Sequence, residues 1–144
     1  MGDTLTRMSQ EDIERLRRGY EAFNEGGVDA IVSQLAPEIQ VHDRASSPDR
    51  ETYHGRRGIR ELFEATAEAF DELQLEPEEF IDLGDHTIVL VRQHVRGRRS
   101  GAEFVGQIAH VWTMQEGRAI DLRICRDREQ ALKAVQGETE APSQ

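Results

Sequence analysis

Asp43 closes a short alternating segment, Ile39-Gln40-Val41-His42-Asp43, and is the group in this chain best suited to moving a proton. A carboxylate at the mouth of a pocket is lifted toward neutral pH by burial, which penalises its charged form. The competing reading is a turn aspartate whose side chain bonds backbone amides of the loop that follows. His42 alternates with Asp43 and points to the opposite face, so the two do not form a dyad.

Arg92 and His94 form a second candidate group, sharing one phase of their strand while Val91, Gln93 and Val95 share the other. Turned inward, Arg92 and His94 join Asp43, Gln107 and Arg126 in a polar cluster suited to acid–base work or to anion binding. Turned outward, they belong to a subunit surface and leave the pocket mostly apolar. A one-residue change of register exchanges the two sets, so both placements stand open at the level of sequence. Tyr53 and His54 either cap a pocket mouth or sit on a solvated loop. Arg96, Arg98 and Arg99 mark a hairpin tip in solvent. Cys125 reads as a small packing residue, since no basic partner is placed to activate its thiol.

Other chemistries find no support. The five histidines at 42, 54, 86, 94 and 110 are scattered, with no C-x-x-C, no H-E-x-x-H and no paired metal-ligand spacing. No metal or cofactor is therefore expected. The glycine-rich nucleotide motifs and the G-x-S-x-G elbow are absent. Eighteen basic residues, 17 of them arginine, face 28 acidic ones, for a net charge of −10. That balance argues against nucleic acid or an anionic membrane as partner. With one cysteine, no span long and apolar enough to cross a bilayer and no signal-peptide pattern, a reduced cytoplasmic setting is the expectation.

The elements that must position these residues follow from periodicity. One hundred and forty-four residues suit one domain, set at 1–136, with the tail 137–144 expected to be disordered. Ser9 and Asp12 open a first helix in a weak capping box, Ile13, Leu16, Tyr20 and Phe23 draw its apolar stripe, and Gly26-Gly27 end it. Val28, Ile31, Val32 and Leu35 suggest a short second helix stopped by Pro37, and residues 38–43 a strand. A polar loop, 44–57, leads to a third helix after Gly58 whose apolar side holds Ile59, Leu62, Phe63, Phe70 and Leu73. Beyond residue 75 the period falls to two. Strands are expected near 76–83, 86–96, 103–115 and 118–126, joined by hairpins at 97–101 and 116–117, before a last helix from Asp127. Helices first and hairpin-linked strands later mean α+β, with helices packed on a bent antiparallel sheet. Strands apolar in both phases, as at Ile88 to Val91, call for a cover on each face, one expected to be a second subunit through an interface anchored by Trp112.

The segments YEAFNEGGVDAIVSQLAPEIQVHD (20–43), YHGRRGIRELF (53–63) and HVWTMQEGRAIDLRICRDREQAL (110–132) resemble the SnoaL-like group of the nuclear transport factor 2-like superfamily. The likeness runs from about residue 10 to 136. It implies a cone-shaped α+β barrel, a curved sheet wrapped around three N-terminal helices with a deep pocket and a short C-terminal helix, usually a homodimer. In ketosteroid isomerase, a worked example of site tuning, an aspartate base works with a tyrosine and a protonated aspartate. The resemblance puts that base at Asp43 but the other two positions at Gly19 and Ala109, with Tyr20 turned about 100° away on its helix. The acid/base position of the polyketide cyclases falls on Ile124. The implied inward set is Val105, Gln107, Ala109, Val111, Leu122, Ile124 and Arg126, with Leu62, Phe63 and Tyr20 also around the pocket. His110 and Trp112 fall on the outer face. Together these imply a pocket for a small apolar metabolite, either in a cofactor-independent isomerase, hydrolase or cyclase using Asp43, or in a non-catalytic binding or protein-interaction module.

Overall fold

The computed structural model describes residues 10–45 and 51–140, so the Ser9 cap, residues 46–50 of the loop and residues 141–144 of the tail lie outside the described residues. Helix α1 spans Gln10–Gly26 and buries Leu16, Tyr20 and Phe23. It ends where Gly27 adopts φ 74° and donates its N–H to the Phe23 carbonyl at 2.7 Å, a conformation that costs any residue with a Cβ. In place of the short second helix stand two 3₁₀ turns, Val28–Ala30 and Val32–Gln34. The β-branched Val28, Ile31 and Val32 favour such tight single turns over a propagated α-helix.

Strand β1, Leu35–Asp43, and the short β2, Glu51–His54, pair antiparallel within the expected loop. Helix α2, Gly55–Ala69, buries Gly58, Ile59 and Leu62, and Gly58 lies so close to Tyr53 that a Cβ there would stand 2.9 Å from its carbonyl carbon. Phe70 and Leu73, assigned by spacing to this helix, open the long strand β3, Phe70–Asp82, because pairing with β4, Thr87–Gly97, claims them. Strands β5, Glu103–Gln115, and β6, Arg118–Cys125, follow, and α3, Arg128–Glu140, takes in the first residues of the expected tail. The β5–β6 hairpin turns on Glu116 and Gly117, both at positive φ (53° and 81°), as a two-residue connection between twisted strands requires.

The sheet runs β2-β1-β6-β5-β4-β3. Every neighbouring pair is antiparallel except β1 with β6, so this α+β cone is built on a curved mixed sheet rather than a purely antiparallel one. Bulges at 70/72 and 77/79 in β3, and at 119/121 in β6, bend the strands around the helices. Pro77 sits at one of these bulges on the edge strand, where its missing N–H does least harm. The Asn24 side chain extends that edge, donating to the Leu75 carbonyl and accepting the Leu75 N–H, both at 2.8 Å.

Two cores lie back to back. The inner one joins Leu16, Tyr20, Phe23, Ile59 and Leu62 to Val41, Val89, Val91, Trp112 and Leu122 of the sheet. The outer one holds Ile88, Leu90, Ala109, Val111 and Cys125 beneath Ala131 of α3. The second apolar phase of β4 and β5 is thus covered over this patch by the chain's own last helix, and Trp112 belongs to the inner core, so neither feature requires a second subunit.

Candidate functional site

Tyr20 sits between Leu16 and Phe23 on the buried stripe of α1, and the helix delivers it to the inner sheet face opposite β5. Directly paired residues of antiparallel strands share a face. The register sets Val89 opposite His110 and Leu90 opposite Ala109. His110 and Trp112 therefore point inward, while Ala109 and Val111 go beneath α3. This reverses the phase expected for β5, and it sets His110 and Trp112 against Tyr20.

The three side chains form one hydrogen-bonded unit. Trp112 Nε1–H donates to the Tyr20 hydroxyl at 2.8 Å, and that hydroxyl lies 2.7 Å from His110 Nδ1. Indole N–H only donates, so the tyrosine oxygen accepts from it and directs its own proton to Nδ1, leaving the imidazole proton on Nε2. Tyr20 and His110 stack with planes 11° apart, and Trp112 stands edge-on to both. Burial lowers the His110 pKa to about 4, partly offset by the charge of Asp43, and pushes the Tyr20 phenol well above its ordinary range against the Trp112 hydrogen bond. Both groups are neutral at pH 7.

Asp43, at the end of β1, is 7% exposed and accepts the Ala45 backbone N–H at 3.2 Å, as a turn aspartate does. Its charge also bears on His110. It is not among the residues lining the cavity that Tyr20, His110 and Trp112 face.

That cavity measures about 410 Å³. Leu16, Phe23, Ile59, Phe63, Leu75 and Leu122 make its apolar walls; Gly19, Ser33 and Gln34 lie on one side; and Arg15, Arg18 and Arg118 line it too. Arg15 is held by Asp12 at 2.8 Å, whereas Arg18 and Arg118 are exposed and have no ion-pair partner among the described residues. The lining contains no aspartate or glutamate.

Of the residues singled out from sequence, Tyr20, Phe63 and Leu122 line the cavity; Leu62 lies in the inner core behind it and Ile124 packs against that core. The others lie elsewhere. Arg92 pairs with Glu78 at 2.9 Å, Gln107 donates to the same carboxylate at 2.9 Å, and His94 reaches Glu103 at 3.4 Å, all on exposed sheet surface. Val105 is 51% exposed, Ala109 lies beneath α3, and Arg126 is exposed beyond the end of β6. The expected cluster of Asp43, Arg92, His94, Gln107 and Arg126 does not assemble. Burial pushes the Cys125 thiol up, although Arg44 and Arg123 act on it in the opposite sense. No group of three or more potential metal ligands occurs among the described residues.

The model of the SnoaL-like domain family matches residues 16–122. No curated protein matches the chain. Among solved structures, an NTF2-like protein of unknown function from Burkholderia pseudomallei superposes with a TM-score of 0.73 at 23% identity, over 90% of this chain and all of that one. TerC, co-crystallised with polyporic acid, gives 0.73 at 22% identity over 89% of this chain and all of its own. A protein of ketosteroid isomerase-like fold from Catenulispora acidiphila, in complex with trimethylamine, gives 0.66 at 13% identity over 94% and 100%.

Proposed function

Because the chain belongs to the SnoaL-like domain family, whose fold surrounds a pocket here, we propose that it takes up a compact, mostly apolar molecule carrying one anionic group. The observation behind this reading is the charge of the cavity. In a chain with 28 acidic residues, the lining holds three arginines and no carboxylate. Apolar walls with a few convergent polar groups are the usual make-up of a small-molecule site, and exposed arginines at its opening attract and orient a carboxylate or phenolate. Ligand-bearing structures of the same fold, one with polyporic acid and one with trimethylamine, agree with a pocket that accepts small molecules.

The catalytic form of this reading is a cofactor-independent isomerase- or cyclase-type step. On substrate binding the Tyr20 O–H turns from His110 Nδ1 to a substrate oxygen, still accepting from Trp112, and the freed Nδ1 accepts and returns the substrate's proton, the charge of Asp43 stabilising the imidazolium that forms. The sequence pointed to Asp43 as the acid/base group; the bearing of its charge on His110 supports a role exerted through that ring. Exposed Phe104 and Val105 on β5, at 61% and 51% exposure, support a homodimer through this end of the sheet, which light scattering would test.

Thermal shift with aromatic and alicyclic acids, against their methyl esters, tests the binding. At 100 times its dissociation constant an acid should stabilise the fold by ~2.7 kcal/mol, a rise of roughly 5–10 °C. Esters that shift the melt as well as the acids would sink the anion reading. Gly19→Leu gives the cleanest negative. A Cβ at Gly19 meets nothing nearer than 3.6 Å, so the variant should fold, about 0.5–1 kcal/mol more stable for losing a helical glycine, while its side chain obstructs the cavity and abolishes the shift. Turnover lost in Asp43→Asn with binding intact would support the catalytic form; binding without turnover in the native chain would support the non-catalytic one.

A further inference from the structure

Phe23 of α1 and Phe63 of α2 stand with ring centroids 5.0 Å apart and planes tilted by 46°. Each lines two cavities. One is the cavity described above; the other, of about 430 Å³, lies between the end of α1, α2 and the start of β3, with Val28, Phe70 and Leu73 in its lining. The two rings touch and form the wall the cavities share, so a chain crosses from one to the other only where the half-buried Phe63 turns aside.

The cavities differ in charge. The first presents Arg15, Arg18 and Arg118 with no acid; the second carries Asp29, Glu64, Asp71 and Glu72 against Arg60 and Arg98. Most of these charges are already matched, Asp71 and Glu72 by Arg96 at 2.9 and 3.2 Å. Arg60 is closed on Asp29, and Arg98 donates to the backbone carbonyls of Ala67 at 2.9 Å and Phe70 at 3.4 Å. An anion is thus favoured in the first chamber, where arginines meet no acid, over the second, where acids and arginines are largely paired, while the aromatic and aliphatic lining admits apolar groups to both.

We propose that the ligand is elongated: an anionic head held at the Arg18–Arg118 side of the first cavity, and an unbranched apolar tail passing between Phe23 and Phe63 into the second. This rests on the anion-binding reading above and extends it to the shape and polarity of the substrate. The charge difference sets the direction of entry, and the aromatic pair sets how slim the tail must be.

Calorimetric titration with straight-chain carboxylates from hexanoate to tetradecanoate tests the proposal. Each methylene newly buried should tighten binding roughly fourfold, the equivalent of about 0.8 kcal/mol, and the gain should continue into the longer members. Two variants locate the tail. Phe63→Trp thickens the wall, and Ala67→Trp fills the second cavity from an exposed position that does not line the first. Ala67→Trp should leave hexanoate binding as it is, and both variants should weaken dodecanoate relative to hexanoate by well over tenfold, since several methylenes lose their burial. A long-chain gain that survives Ala67→Trp unchanged, or hexanoate binding with no gain from longer chains, overturns the two-chamber proposal alone. Failure of the whole series, hexanoate included, overturns the anion reading and this inference with it.

Discussion

Strands β4 and β5 carry two polar clusters back to back, and the contrast between them shows what turns a histidine or an arginine into a candidate for chemistry. On the inner face, Tyr20, His110 and Trp112 are sealed beneath α1, each hydrogen bond is made once, and burial moves both titratable groups away from their ordinary pKa values. On the outer face, Arg92, Gln107 and Glu78 bond one another in solvent, and His94 meets Glu103 at the same surface. The residue types are similar. Removal from water is what differs, and water screens and replaces every interaction of the outer cluster. A polar cluster on a strand pair therefore says little about function until the face it occupies is known.

Acid is expected to separate the two faces most. His110 has a folded-state pKa of about 4 against 6.5 for the unfolded chain, so between those values the unfolded chain binds the extra proton. The stability tied to keeping this ring neutral is fully present above pH 6.5 and is lost as pH falls toward 4, up to about 3 kcal/mol in all. Denaturant unfolding at a series of pH values should show this fall in the native chain and a flatter profile in His110→Gln. A parallel pair of profiles would mean that the inner histidine is not held neutral by burial.

Tyr20→Phe comes next in size. Removing the hydroxyl leaves the Trp112 indole N–H and His110 Nδ1 without their partner. Each orphaned buried group costs about 1–3 kcal/mol, and water entering the adjoining cavity recovers part of it. A net loss of about 2 kcal/mol, or a melting temperature roughly 5 °C lower, is expected by calorimetry. An unchanged melt would show that the buried hydroxyl contributes nothing net, and the inner cluster would then resemble the outer one.

How much of this was legible in the sequence differs between fold and site. Hairpins at 97–101 and 116–117, with period-two runs on either side, placed the last three strands to within a residue or two, because turn chemistry and alternation are local signals. The stretch 28–35 and the start of β3 were not legible: a 3.6-type spacing at Phe70 and Leu73 was overridden by pairing with a partner some twenty residues away. The site failed on face. The resemblance put Ala109 and Val111 on the pocket side, and because α3 gives β5 a second apolar cover, hydrophobicity could not tell inside from outside. Gly19 and Tyr20 both line the cavity; an apolar stripe more than about 100° wide admits consecutive residues. The signal that could have found the site was already present in Leu16, Tyr20 and Phe23, which put a hydroxyl on the stripe that must meet the sheet, and so require a buried polar partner there.

The smallest expected effect belongs to the outer cluster and is the sharpest check on the contrast. Arg92 is bonded to Glu78, whose carboxyl is held below its ordinary pKa by the Gln107 hydrogen bond first and by Arg92 second. If these contacts are surface pairings, Arg92→Ala should leave the melting temperature within error of the native chain, should not alter the pH dependence of unfolding, and should not change the binding of any anion that Arg118→Glu abolishes. Double substitution of Arg92 and His94 by alanine should do no more, since exposed pairs couple weakly. The sequence left open whether these two side chains line the pocket, and the variant puts that question to the protein directly. A loss of ligand binding in Arg92→Ala comparable to that in Arg118→Glu would place the anion on the outer face, and the inner cavity would lose its claim as the ligand site.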